Sequence, residues 1–371
     1  MTGPDPTRFA ALLCGYCLDV QPGQQVVVRS TTLAAPLLLA LQRELLEREA
    51  WPLIRPELPG AGEAFWAAAR DAHLDGFAPA ELAEAEGTDA SLGIQAPENT
   101  RSLAGVAAER MARAARARAP VREAALRRRW CLTLWPTAAG AQQAGMGGAE
   151  FAAFVRRALF LDRDDAPAAW AELHAFQGRL LDRLAGAREL RIEADGTDLT
   201  LSVEGRTWVN SDGRRNMPSG EVFTGPHEHS AEGRIRFTVP SSPRGVEVAG
   251  IELDLREGRV VSARAERGEA YLKATLATDD GATRLGEIGI GTNFGIDRAV
   301  GAILFDEKIG GTVHLAVGRS YPETGGTNQS AVHWDMICDL RRGGRLSVDG
   351  ETIQRDGDFL EHRGQTPANG A

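Results

Sequence analysis

A chain of 371 residues is too long for one ordinary core, so two domains are expected, and 43% hydrophobic with 25% charged residues is a globular, water-borne composition. The net charge of −9 disfavours nucleic acid or an anionic membrane as the main partner. No apolar run reaches the roughly 18 to 20 residues of a membrane span, the N-terminus lacks a signal-peptide plan, and four cysteines fit a reducing cytoplasm better than a disulfide scaffold.

The first half alternates helix and strand patterns. Phe9, Leu12, Leu13 and Tyr16 have helical spacing, and Gln25 to Arg29 reads as a strand after the turn at Pro22-Gly23. An apolar helix follows from Ala35 to Arg48, then strands at Trp51 to Ile54, Ser91 to Gln95 and Trp130 to Leu134, with Arg- and Ala-rich helical segments around Leu103 to Leu126. Two further helices are expected around Ala149 to Leu159 and Pro167 to Leu184. Repeated strand-helix-strand order predicts an open, mostly parallel sheet with helices: an α/β domain over residues 1–186.

Near Gly186 the pattern changes. Glu189 to Glu193, Thr197 to Val203, Gly233 to Pro240 and Val246 to Leu255 are short alternating strands with Gly or Asp turns. They predict a largely antiparallel α+β domain over 187–371, with a polar, frayed tail after His362. Within it, A-V-H-W-D-M-I puts His333 and Asp335 on one side of a strand and Val332, Trp334 and Met336 on the other. T-V-H-L-A-V-G does the same for His314 and Ala316, and Glu287 in G-E-I-G-I-G shares its face only with Gly289 and Gly291. Imidazoles and carboxylates beside small residues, backed by apolar faces, suit a partly open site for two cations.

The blocks G-R-R-N-M-P-S-G-E-V-F-T-G-P (Gly213 to Pro226), L-G-E-I-G-I-G-T-N (Leu285 to Asn293), F-D-E-K-I-G-G-T-V-H-L-A-V-G-R-S-Y (Phe305 to Tyr321) and N-Q-S-A-V-H-W-D (Asn328 to Asp335) occur in that order. Together they closely resemble the thermophilic-type metalloaminopeptidases of peptidase family M29. The first half fits more loosely, through its α/β pattern and W-P-T-A-A-G-A-Q-Q-A-G-M from Trp135 to Met146. The resemblance implies metal ligands at Glu221, Glu287, His314, Tyr321, His333 and Asp335, with Glu307 a further acidic position of catalytic interest. It also implies a homodimer.

Three carboxylates, two imidazoles and a phenol suit two divalent ions, whether zinc, cobalt, manganese or magnesium. Cysteine is absent from the set, which excludes a thiolate-rich structural zinc site. Glu307 or a ligating glutamate is expected to shuttle a proton, and Tyr321 to coordinate a metal or donate to the oxyanion.

Other features carry less. Cys14-Gly15-Tyr16-Cys17 lies in a helix pattern and reads as core rather than redox chemistry. His227-Glu228-His229 reads as an exposed loop, the arginines from Arg110 to Arg129 as a solvated face, and His73, His174 and His362 as structural or exposed. Gly289, Gly291 and Gly295 do not form a nucleotide-binding fingerprint. The expected function is removal of the N-terminal residue from peptides bearing a free amine. The alternatives are a ring-cleaving dihydroxypyridine dioxygenase with one ferrous ion, also similar to this family, and a non-catalytic binding protein. A one-iron site has no need of Glu221, Glu287, His314 and Tyr321 beside the H-W-D pair.

Overall fold

The computed structural model of the chain describes residues 3–360; the tail after His362 lies outside them. The chain divides into two compact units, residues 3–171 with 212–219 and residues 172–211 with 220–360.

The first unit is built on a five-stranded sheet in the order Trp51–Glu57, Gln25–Thr31, Ala90–Gln95, Arg129–Leu134 and Asn216–Met217. Every pairing is parallel. Val26, Val27 and Val28 are all buried, as expected of a strand covered on both faces. Trp51–Glu57 carries Pro52 and Pro56 and lies at the sheet edge, where a missing N–H breaks no ladder. Helix Ala35–Glu47 buries Leu37, Leu38, Leu41 and Leu45. The Arg- and Ala-rich segment forms two helices, Ala108–Ala117 and Ala119–Leu126. Two of its arginines are engaged within the chain: Arg113 pairs with Asp71 and Asp75, and Arg110 donates to the Ala69 carbonyl. Cys14 and Cys17 lie in a buried π-helical turn, Leu12–Cys17, where burial lifts the Cys14 thiol to about 12, so it is no thiolate near neutrality.

The second unit holds two sheets. One has eight antiparallel strands, including Glu189–Ala194, Thr197–Ser202, Glu232–Phe237 and Ile251–Arg256. That last strand begins later than the expected Val246. Gly250 has a left-handed backbone (φ 61°), and upstream only isolated bridges join Val248 to Ser241 and Ala249 to Arg267. The other sheet has five antiparallel strands in the order His333–Asp339, Thr312–Gly318, Leu285–Gly291, Glu221–Thr224 and Val209–Ser211. Leu190, Ile192, Leu199 and Ile235 of the first sheet and Ile288, Leu315, Val317 and Met336 of the second enter one apolar core. No helix among the described residues is long and apolar enough to cross a membrane.

Candidate metal centre

The five-stranded sheet of the second unit gives its apolar side to the core through Ile288, Ile290, Val313, Leu315, Val317, Trp334 and Met336. Strand alternation therefore sends Glu287, His314, His333 and Asp335 to the opposite face. Register brings them together. Gly289 lies across from His314, Gly291 across from Glu221, and Ala316 is the partner of both Glu287 and Asp335 on its two neighbouring strands. A bulge between Leu285 and Glu287 flips the alternation, so Leu285 also enters the core while Glu287 keeps the polar face. The extra residue is Gly286, and any side chain there would run into the Gly318 and Arg319 carbonyls.

Two triads of ligand-type atoms result, Glu221, Glu287 and His314, and Glu287, His333 and Asp335, each with its atoms within 4.8 Å of one another. Glu287 belongs to both. Its Oε1 lies 3.3 Å from His314 Nε2, and its Oε2 lies 3.5 Å from His333 Nε2. Glu221 Oε2 is 3.6 Å from His314 Nε2, and Asp335 Oδ1 is 3.5 Å from His333 Nε2. The far nitrogen of each ring is fixed by backbone: His314 Nδ1 donates to the Glu307 carbonyl at 3.1 Å and His333 Nδ1 to the Arg319 carbonyl at 2.8 Å. Because a carbonyl only accepts, the proton of each neutral ring sits on Nδ1, and both Nε2 lone pairs face the carboxylates.

The electrostatics have the same focus. Burial raises the Glu221 and Glu287 carboxyls above their ordinary range and Asp335 to about 6. Burial also works against a charged His314, but the Glu287 and Glu221 carboxylates outweigh it and hold the ring up to about 10. Lys308 is fully buried, with its ammonium 3.2 Å from Glu221 Oε1 and paired with the Glu307 carboxylate. Both carboxylates hold it charged against the cost of burial.

These residues fit a cation. Glu221 Oε2 is buried with no hydrogen-bond partner among the described residues, a state too costly to persist without a ligand in reach. In the metal-free chain, a proton on His314 stands where a cation would neutralise the carboxylates. Gly289 supplies the room: a Cβ there would overlap the His314 imidazole. Gly289→Ala is therefore expected to push the ring aside, costing about 1–3 kcal/mol of stability and about tenfold in cation affinity. A thermal melt and a cation titration check this, and unchanged affinity would contradict the role given to Gly289.

Of the other expected residues, Tyr321 is exposed by 36% and flanks the second triad, its ring centroid 5.2 Å from that of His333 and 5.7 Å from that of Phe223. Burial, with the Glu287 and Asp335 charges, raises its phenol. The Glu307 side chain is tied to Lys308, while its carbonyl orients His314. His227 is exposed and its Nε2 donates to the Glu204 carbonyl at 2.7 Å, away from either triad. Sequence reasoning missed two buried residues. Lys308 was visible only as the neighbour of Glu307. Gln177, in a helix far along the chain, donates to the Glu221 carbonyl at 2.7 Å and to Thr292 Oγ1 at 3.1 Å. No sequence spacing connects it to the site.

Comparison with known proteins agrees with this architecture. The family model of thermophilic metalloprotease (M29) matches residues 5–359. Aminopeptidase 2 of Geobacillus stearothermophilus is 32% identical over 401 residues, covering 93% of each chain. Aminopeptidase T of Thermus aquaticus is 32% identical over 228 residues, 54% of each chain. The solved structure of wild-type AmpT from Thermus thermophilus superposes with a TM-score of 0.83 at 24% identity, over 96% of this chain and 99% of that one. With nearly its whole length matched, the chain belongs to the M29 family of thermophilic metalloproteases.

Proposed function

We propose that this metalloaminopeptidase uses two divalent cations, one at Glu221, Glu287 and His314 and one at Glu287, His333 and Asp335, to remove the N-terminal residue from peptides. The observation that carries the dinuclear reading is the sharing of Glu287, one oxygen toward each histidine. Each triad offers one imidazole and two carboxylates, which suits zinc, cobalt, manganese or magnesium, and Tyr321 can add its phenol oxygen. When bound, such cations acidify a water and polarise the scissile carbonyl.

The chain's own groups supply the rest. The carbonyl-anchored histidines keep Nε2 aimed and lose no orientation during turnover. Glu307 accepts the proton of the attacking water and passes it to the leaving amine nitrogen. The raised phenol of Tyr321 stays protonated near neutral pH and donates to the oxyanion of the tetrahedral intermediate. The named relatives are aminopeptidases, which supports recognition of a free N-terminal amine beside the cations. Two triads, and a family of peptidases, favour hydrolysis over the one-iron ring-cleaving alternative. A homodimer, an N-terminal domain over 1–186 followed in sequence by a catalytic domain over 187–371, and a cytoplasmic location complete the proposal. The last of these is supported by four buried, unbridged cysteines.

Chelation is expected to abolish turnover, and cobalt, zinc or manganese to restore it, with about two cations per chain by elemental analysis. Full activity in demetallated protein would remove this mechanism, and a single cation per active chain would remove the dinuclear reading.

A further inference from the structure

We infer that Lys308 is a positioning residue: together with the Glu307 backbone, its ammonium presets the Glu221–Glu287–His314 triad for a cation. This rests on the metal reading above and assigns a role to a side chain which that reading does not use. A lysine with no exposed surface is costly to bury and persists where its charge is matched. Here the matching is directional. The ammonium holds Glu221 Oε1 at 3.2 Å, and Oε2 is left without a hydrogen bond, 3.6 Å from His314 Nε2. One residue earlier, the Glu307 carbonyl takes His314 Nδ1–H and turns Nε2 toward the Glu287 and Glu221 carboxylates. Two consecutive residues thus orient two of the three triad side chains.

The segment that carries them is itself tied down. The Asp306 carboxylate accepts from the Val300 and Gly301 amides at 2.7 and 2.8 Å. The Lys308 carbonyl accepts from the Asn293 amide at 3.1 Å, and the Gly310 amide donates to the Asn293 carbonyl at 3.0 Å. The turn presents the ammonium between Glu221 and Glu307, whose carboxylates would otherwise repel each other.

Positioning and plain electrostatics predict opposite signs. An ammonium near a cation repels it, so by charge alone its removal would tighten binding. If Lys308 positions Glu221, its removal loosens binding. Lys308→Met keeps the stem and drops the charge; Lys308→Gln keeps an N–H donor and serves if the Met variant does not fold. Cobalt(II) is titrated into the chelated, full-length protein and followed by its visible bands and by competition with a chelating dye. The cation lost in Glu221→Gln marks the first triad. Lys308→Met is expected to weaken that cation about ten- to a hundredfold and shift its bands, with a smaller loss for Lys308→Gln. In the Glu221→Gln background, Lys308→Met is expected to add nothing. Unchanged or tighter cobalt binding overturns the inference, as does an equal weakening of the remaining, second-triad cation by Lys308→Met in the Glu221→Gln background. If the parent chain binds no cobalt, or binds it equally in Glu221→Gln, the metal reading itself fails and this inference with it.

Discussion

Glu287→Ala is expected to empty both triads at once and to lower kcat/KM by more than about a thousandfold, roughly 4 kcal/mol of transition-state stabilisation. The carboxylate reaches His314 with one oxygen and His333 with the other, and its same-face strand neighbours Gly289 and Ala316 carry no ligand group to replace it. Glu221→Ala, His333→Ala and Asp335→Ala each remove a group from one triad, so each is expected to reduce cation content by about one per chain and to cost more than the ten- to a hundredfold typical of outer partners. His227→Ala, at an exposed loop histidine already bonded to the Glu204 carbonyl, is expected to leave cation content and turnover near those of the parent. Elemental analysis of the purified variants with kcat/KM on one peptide substrate checks the set. Retention of both cations in Glu287→Ala would refute the shared-carboxylate arrangement.

N-acetylation of a substrate is expected to slow its cleavage at least about a hundredfold. A free amine beside the cations makes a polar contact in a confined space; an acetyl group removes that contact and adds bulk where the pocket must end. Losing a buried polar contact together with a steric clash amounts to about 3 kcal/mol or more. The measurement is kcat/KM for leucyl amide and leucyl dipeptides against their acetylated forms at one pH and cation concentration. Equal rates would indicate an endopeptidase or general amidase. Hydrolysis of neither, with oxygen consumed on a dihydroxylated pyridine, would indicate the one-iron chemistry instead.

Much of the site was legible in the sequence because strand alternation is a local property. In V-H-W-D-M the period of two alone separates His333 and Asp335 from the core-bound Trp334 and Met336, and the structure keeps that division. The small residues beside Glu287 and His314 likewise signalled room on the polar face, and Gly289 provides it. The α/β pattern of the first half was legible in the buried Val26 to Val28 run and the leucine stripe of Ala35–Glu47. It failed for helices Ala61–Ala68 and Pro79–Gly87, neither of which has a fully buried residue and so no apolar stripe to read.

What remained was non-local, and only the tertiary structure decided it. That Glu287 serves both histidines depends on antiparallel register and on a bulge at Gly286, since regular alternation would have put Leu285 on the polar face with it. The carbonyls that fix the two imidazoles, from Glu307 and Arg319, lie 7 and 14 residues from their partners, at distances set by loop geometry rather than by any repeat. The return of residues 212–219 to the first unit, where Asn216–Met217 extends its parallel sheet, has no local signal either. Lys308 illustrates the same limit. A lysine beside a glutamate in sequence reads as a solvated pair, and only the folded sheet shows that water is excluded and that its second partner is Glu221, 87 positions earlier.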